Sequence, residues 1–481
     1  MRTLFILLVA LQAQCHTPVW TLDIAPILYR HCTSCHNDNG IAPFSLVTYE
    51  ETYVNRYSIA YSTKNLRMPP WPADPSYSHF QNERLMTADE IHLIEEWVRS
   101  SAPYGRPQDT PIPPVYTNEF WPHDLEIAIP EYTVPNNGDV YRCFPLPTGL
   151  SLDQFITSFK CIPGNKNIVH HILVYADTSN IPYKLDALDK ELGYTSYWGV
   201  GSASAKQIGA WVPGSDPTIY PKGMGQFLAK AATIIIQVHY APGSMGQKDQ
   251  TSFLARLSSS KLRELKTEPL LNHFATGLFI PANKTTIFSA ESSIVKKLTM
   301  ISVMPHMHSV GKSVKVWKLN TAKDTTRIIR INNWNFHWQL GYELPTPLIA
   351  NVGDVLQAEA TYDNYTNRNI RDGASSSDEM MLVYFTFTEY KLGDELLDLA
   401  NGVKTSSTEL PKLKLVGYPN PARDRFNLPI EGLVCIYDTA GRVVKSLTAA
   451  RTIDISDLSA GVYFVTVMAK SEYGYTKLIK L

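Results

Sequence analysis

The feature that most limits how this chain folds is a change of hydrophobic period across a proline-rich stretch, Arg106 to Pro114, which holds four prolines and reads as a linker. Before it the pattern is helical. Asp23-Ile-Ala-Pro-Ile-Leu-Tyr29 opens one amphipathic segment, and Thr87-Ala-Asp-Glu-Ile-His-Leu-Ile-Glu-Glu-Trp-Val98 forms another, with Thr87 and Glu90 spaced as a capping box. After the linker the period becomes two: Thr233-Ile-Ile-Ile-Gln-Val-His-Tyr240, Ser313-Val-Lys-Val-Trp317 and Met381-Leu-Val-Tyr-Phe-Thr-Phe387 are strands of β-branched and aromatic residues. This β-rich region is too long for one sandwich and divides near Pro269 to Pro281. A last unit of short alternating strands begins at Tyr418-Pro-Asn-Pro-Ala422.

The expected architecture is therefore multidomain: an all-α domain at 20–106, two β-sandwiches at 115–268 and 269–395, and a small C-terminal β-sandwich at 412–481. A length of 481 residues agrees with several domains of roughly 150 residues each. Arg2, the apolar run Leu4 to Leu11 and a cleavage site near Ala13 predict a signal peptide over 1–14, hence an exported protein. Cys15 follows, but Gln12-Ala-Gln14 does not make a lipobox. No later run of some 18 apolar residues predicts a membrane span. A net charge of -1 with 19% charged residues gives no basic field for nucleic acid. Six cysteines are few for an exported chain of this size, and an oxidising compartment favours one bridge, Cys143 to Cys161.

Cys32-Thr-Ser-Cys35-His36 is the C-x-x-C-H pattern of covalent haem c attachment: two thioethers to the porphyrin and an imidazole on iron. Met68, in Arg67-Met-Pro-Pro-Trp-Pro-Ala-Asp74, is the expected distal ligand, with Met86 as the competitor. The segment Ile24 to Gly105 resembles the cytochrome c-like domains fused to exported bacterial oxidases.

In the β region six residues have side chains suited to copper: His170, His171, His239, His306, His308 and Met380. His306 and His308 are two apart, so on a strand both rings leave one face. His170 and His171 are adjacent and point to opposite faces of a regular strand; both reach one ion only at a strand end or a bulge.

The strings Asn167-Ile-Val-His-His-Ile-Leu-Val174, Gln237-Val-His-Tyr240, Pro305-His-Met-His-Ser-Val-Gly-Lys312 and Ser377-Asp-Glu-Met380 occur in this order and resemble the copper type II, ascorbate-dependent monooxygenases, over roughly 118–392. The resemblance implies two jelly-roll-like domains facing across a solvent cleft. It places an electron-transferring copper on His170, His171 and His239, supported by Gln237, and an oxygen-binding copper on His306, His308 and Met380. The implied partners are O2, a small-molecule or peptide substrate and an electron donor, either ascorbate or a redox protein. One departure matters: the peptide-amidating branch has an arginine two residues before its H-x-H motif, where this chain has Met304, so a C-terminal glycine peptide fits poorly. Tyr384 matches a tyrosine near that branch's substrate site, although beside Phe385 it reads as packing. The C-terminal unit resembles the type IX secretion sorting domain, which implies a partner in the secretion machinery and release at or beyond the cell surface. Two other functions compete with the monooxygenase: a non-enzymatic haem and copper electron carrier, and an adhesin-like scaffold.

Overall fold

Among the described residues, three α-helices precede the linker: α1 (Ala25–His31), entered through a π-helical turn at Trp20–Ile24, α2 (Tyr49–Lys64) and α3 (Ala88–Arg99). Capping boxes open two of them, Thr48 with Glu51 and Thr87 with Glu90, each satisfying backbone donors that a helix start leaves unpaired. Their buried faces meet in one cluster around Trp20, Leu28, Ile59, Ile94 and Trp97. The computed structural model describes residues 17–481 apart from 117–120, 198, 274–276, 374, 400–411, 415–416, 439–442 and 470–471. The expected signal segment and Cys15 lie outside the described residues. No described helix is long and apolar enough to cross a membrane.

The first sandwich is built around β1 (Val140–Pro147), β2 (Val169–Asp177) and β3 (Thr233–Tyr240). β3 lies between β1 and β2 in a five-stranded sheet, and every residue along it is buried. That explains its unbroken apolar run: one face meets the sandwich core and the other a small cluster with Tyr194 and Val200. The opposing sheet contains the strands Leu125–Ala128, Ser252–Ser258, Gln154–Ile162 and Met224–Leu228. The expected Cys143 to Cys161 bridge does not form, and both thiols are free. Side chains alternate along a strand, and Phe144 of β1 points into the core, so Cys143 points away from it. Cys161, on the opposing sheet, faces the core. Burial pushes the Cys143 thiol up to about 12. Neither thiol is expected to react with an alkylating reagent until the chain is unfolded; rapid labelling of the native protein would contradict this packing.

In the second sandwich, β4 (Leu298–His306) and β6 (Leu382–Glu389) pair antiparallel in a sheet that also holds Lys266–Asn272 and Tyr342–Ala350. The opposing sheet is centred on β5 (Val355–Asn364) and the strand Gly311–Leu319. Its core includes Met300, Val303, Val316, Tyr362 and Phe385.

Residues 71–84, inside the stretch expected to be a helical domain, pack into this second sandwich. Ala73 and Phe80 join its core, and Trp71 packs against it. Ala73 bridges Ile331, and Arg330 donates to Asp74 Oδ2 through Nε at 2.9 Å and Nη2 at 2.7 Å. Burial by itself would raise the Asp74 carboxyl, but hydrogen bonds from Ser76, Arg330 and Asn332 outweigh it and hold the group at about 2. A carboxyl depressed in the folded state stabilises above its unfolded value of 3.8 and loses that contribution as pH falls towards 2. Solvent screening at this water-facing carboxyl keeps the contribution to about 1 kcal/mol or less. Asp74→Asn is expected to remove this acid-sensitive increment from the unfolding free energy measured between pH 5 and pH 2; an unchanged profile would contradict the assignment.

Residues 405–481 form a separate unit. Where a sandwich is expected, the described residues form one five-stranded sheet, ordered Lys412–Lys414, Glu472–Lys480, Gly461–Ala469, Arg425–Tyr437, Val443–Asp454. Three register shifts break the pairing of its longest strand, Arg425–Tyr437, and the sheet covers a core of Phe426, Val434, Ile453 and Val465.

Candidate metal centres

His239 on β3 faces His171 on β2, and the next pair in the ladder is Tyr240 with Val169. His170 therefore has no residue opposite it: it is the extra residue of a bulge, and the bulge turns two adjacent imidazoles to one side. One ligand nitrogen from each of His170, His171 and His239 lies within 4.8 Å of the others. The converging atoms are Nδ1: His170 to His171 is 3.2 Å and His239 to His171 is 3.4 Å. The far nitrogens of His239 and His170 are also occupied. His239 Nε2 donates to Asp139 Oδ1 at 2.7 Å, and His170 Nε2 lies 3.2 Å from His337 Nδ1. Carboxylate support of this kind fixes the tautomer and leaves Nδ1 as the ligand atom. The Tyr141 ring stacks on His239 with centroids 4.1 Å apart. Burial, and after it the neighbouring imidazoles, lowers His170 to about 3 and His171 well below its usual value. The rings are thus neutral at physiological pH and have no proton to lose before binding a metal. A donor set of three neutral imidazoles fits a copper ion in either oxidation state.

The second group sits at the end of β4. The strand stops at His306, so the simple two-residue alternation does not by itself place His308. Their ring centroids are nonetheless 5.2 Å apart, because each ring is held separately. His306 Nδ1 is bonded to Gln339 Oε1, and His308 Nδ1 donates to the Asp378 carbonyl at 3.2 Å, which leaves Nε2 as the ligand atom on both. His306 pairs with Leu382 across the ladder, and beyond that pair both strands end, with His308 on one outgoing segment and Met380 on the other. The buried Glu379 carboxylate fixes this arrangement by accepting from the backbone amides of His308 at 2.8 Å, Val310 at 2.9 Å and Met380 at 3.1 Å. The Tyr362 hydroxyl donates to the Met380 carbonyl at 2.7 Å. Met380 is 8% exposed and packs with Leu382 and Tyr384.

The loop 332–341 lies between the two groups. Phe336 stacks on His170 with centroids 4.7 Å apart and meets the His308 ring edge-on at 5.8 Å. Trp334 Nε1 donates to the His308 carbonyl at 3.2 Å, so one loop touches both sites. The Gln237 amide, two residues before His239 on β3, donates to the carbonyls of Ser196 and Gly199 at 2.9 and 2.8 Å, beside Cys143. Asp139, Phe336, His337, Gln339 and Glu379 escaped the sequence analysis. Only Glu379 stood in a quoted motif; Asp139 is distant in sequence from His239, and no spacing rule links them.

At the Cys-x-x-Cys-His motif, α1 ends at His31 and the turn carries Cys32, Cys35 and His36. His36 Nδ1 lies 3.0 Å from the Phe44 carbonyl, which leaves Nε2 as its ligand atom. Cys32 and Cys35 are both free. This donor set fits a covalently attached haem. The backbone N–H of Met68 donates to the Ser62 carbonyl at 3.2 Å, whereas Met86 packs against the helical core.

Comparison with known proteins places this arrangement in a class. Residues 125–245 match the N-terminal domain, and residues 273–401 the C-terminal domain, of the copper type II ascorbate-dependent monooxygenases. Both halves of that two-domain copper core are present in this chain. Residues 417–481 match the secretion system C-terminal sorting domain. Among individual proteins, the chain is similar to DBH-like monooxygenase protein 2 of Mus musculus, at 24% identity over 55% of this chain and 45% of that protein. It is also similar to MOXD1 homolog 1 of Drosophila melanogaster, at 21% identity over 54% of this chain and 42% of that protein. The chain spans about half the length of the curated relatives it matches.

Asp139→Asn is expected to weaken copper at the three-histidine site about 10–100-fold, the usual cost of losing an outer-shell partner. Copper titration monitored by electron paramagnetic resonance tests this; an unchanged affinity would remove Asp139 from the site.

Proposed function

We propose that this chain is an exported copper monooxygenase that converts a C–H bond of an organic substrate to C–OH with O2, two electrons and two protons, releasing water. One copper is held by His170, His171 and His239, and a second by His306, His308 and Met380. Electrons come from ascorbate or through a c-type haem held by Cys32, Cys35, His36 and Met68. When bound, these groups supply single-electron storage and the activation of O2. The chain itself orients and excludes. Asp139 holds the His239 ring, Gln339 and the Asp378 carbonyl aim Nε2 of His306 and His308, and Glu379 ties the backbone of Met380 to that of His308. Phe336 fills space between the two groups and displaces water from it.

The observation that carries this proposal is the bulge at His170, which brings three neutral imidazoles to one point in the region that matches copper monooxygenases. Two ligands of the second copper are imidazoles and the third is a thioether, a set that leaves a position open for oxygen. Met304, which pairs with Tyr384 across the ladder, supplies no cation at the position where the peptide-amidating enzymes hold a substrate carboxylate. The free Cys32 and Cys35, the oriented His36 ring and the loop position of Met68 support the haem. The C-terminal match supports export and surface attachment or release.

The test is oxygen uptake by the copper-loaded full chain with ascorbate and a panel of organic substrates. A hydroxylated product formed in step with oxygen uptake, and absent from the metal-free chain, is expected. A copper-loaded chain that is reduced and reoxidised without ever forming a product would overturn the proposal in favour of an electron carrier.

A further inference from the structure

Asp139 uses both of its carboxylate oxygens, and they reach different sandwiches. Oδ1 accepts from His239 Nε2 at 2.7 Å, and Oδ2 accepts from the Ser376 hydroxyl. Each end of this bridge is fixed to a group of metal-site residues. Asp139 directly precedes β1, whose Tyr141 pairs with His239 across the ladder. Ser376 stands in the segment that shapes the methionine site. Its carbonyl accepts from the Ser309 hydroxyl at 2.9 Å, two residues later the Asp378 carbonyl accepts from His308 Nδ1, and Met380 follows. This segment is braced from within. The Gly373 amide donates to the Glu379 carbonyl at 3.1 Å, the Asp378 amide to the Ser375 carbonyl at 2.9 Å, and Arg368 to the Ser377 carbonyl. A Cβ at Gly373 would collide with the Asp378 side chain, so the turn has no room for one. A segment held in this way moves as one piece, and a shift of Ser376 carries the support of His308 and Met380 with it.

Two domains of one chain shift against each other by default, unless a large apolar interface holds them. Beside the metal-site residues, the contacts between the sandwiches are rings and polar atoms. Phe336 stands between His170 and His308, with centroids 4.7 and 5.8 Å away. The same loop reaches the first sandwich through His337 Nδ1, 3.2 Å from His170 Nε2, and holds His306 through Gln339. That link joins two imidazoles, whereas the Asp139 bonds are made by a carboxylate, and hydrogen bonds to an ionised group are about twice as strong as neutral ones. The carboxylate also joins the support of His239 directly to the support of His308. We propose that Asp139 and Ser376 form a latch across the two sandwiches that sets the separation of the two coppers, an inference that rests on the two-copper reading above. Ser376 is a positioning residue: it acts through Asp139 and through its own segment. The separation matters because one of the two electrons of each turnover crosses from the three-histidine copper to the methionine copper, and transfer between ions weakens steeply as they part.

The test measures the separation of the two ions in the oxidised, copper-loaded full chain, from their dipolar coupling in electron paramagnetic resonance. The parent is compared with Ser376→Ala, Ser376→Thr and Ser375→Ala. The parent is expected to give one narrow separation. Ser376→Ala should keep both coppers, since it removes no ligand and leaves the Asp139 bond to His239 in place, but its coupling should weaken and spread over a range of longer separations. Ser376→Thr retains the hydroxyl and should restore the separation of the parent. Ser375→Ala removes a hydroxyl that bonds Ser377 at 3.1 Å rather than Asp139, and it should also match the parent. A Ser376→Ala protein with the separation of the parent would overturn the latch and leave the two-copper reading standing. Equal loosening in Ser375→Ala would also overturn it, because the segment as a whole would then set the spacing. A parent chain that takes up fewer than two coppers would overturn both.

Discussion

Glu379→Ala is expected to destabilise the chain by about 3–6 kcal/mol and to abolish copper binding at His306, His308 and Met380. The carboxylate accepts from three backbone amides, those of His308, Val310 and Met380, and each is buried within the second sandwich. Leaving a buried donor unpaired costs about 1–3 kcal/mol. Water entering the space left by the side chain recovers part of that, so the lower half of the range applies. The loss of the metal site follows from geometry: His308 lies beyond the end of β4 and Met380 before the start of β6, and this carboxylate joins the two segments. Burial pushes the Glu379 carboxyl up to about 7 even though the amides oppose that rise, so it sits in a demanding position whose neighbours must be satisfied by it. Denaturant unfolding and a copper count check both parts. Wild-type stability in Glu379→Ala would show that these amides have other partners.

His308→Ala and His171→Ala are each expected to lower product formation by roughly three orders of magnitude, since the metal contributes several kcal/mol of stabilisation and each 1.36 kcal/mol is tenfold in rate. The two variants should fail differently. His308→Ala should retain a copper with three nitrogen ligands at His170, His171 and His239, while His171→Ala should retain one with nitrogen and sulfur ligands. Electron paramagnetic resonance of the oxidised proteins separates the two signals. Identical residual spectra would mean that the six residues form a single site or none.

The pattern of the chain carried much of this architecture. The run Thr233 to Tyr240 announced a strand, though not its burial on both faces, and the Thr87 and Glu90 pair announced the start of α3. The adjacency of His170 and His171 required an irregular strand if both were to face one ion, and the ladder has its bulge at that place. Other features could not be read there because they depend on register between distant strands. Asp139 meets His239 only through the pairing of β1 with β3. Phe336 and His337 gain their meaning from a loop in one sandwich touching a histidine in the other. Cys143 and Cys161 looked like partners because two thiols in one exported domain usually are; strand alternation sends them to different faces. Trp71 and Arg84 looked like parts of a helical domain, yet their partners lie on the β side of the linker.

X-ray absorption at the copper edge of the fully loaded, reduced protein tests the central claim, the convergence of five histidines and one methionine on a pair of ions. The account predicts two coppers per chain with one sulfur scatterer shared between the two on average, and loss of that sulfur in Met380→Ile with the nitrogen shell retained. A reduced protein whose coppers show no sulfur, or show it unchanged in Met380→Ile, would contradict it.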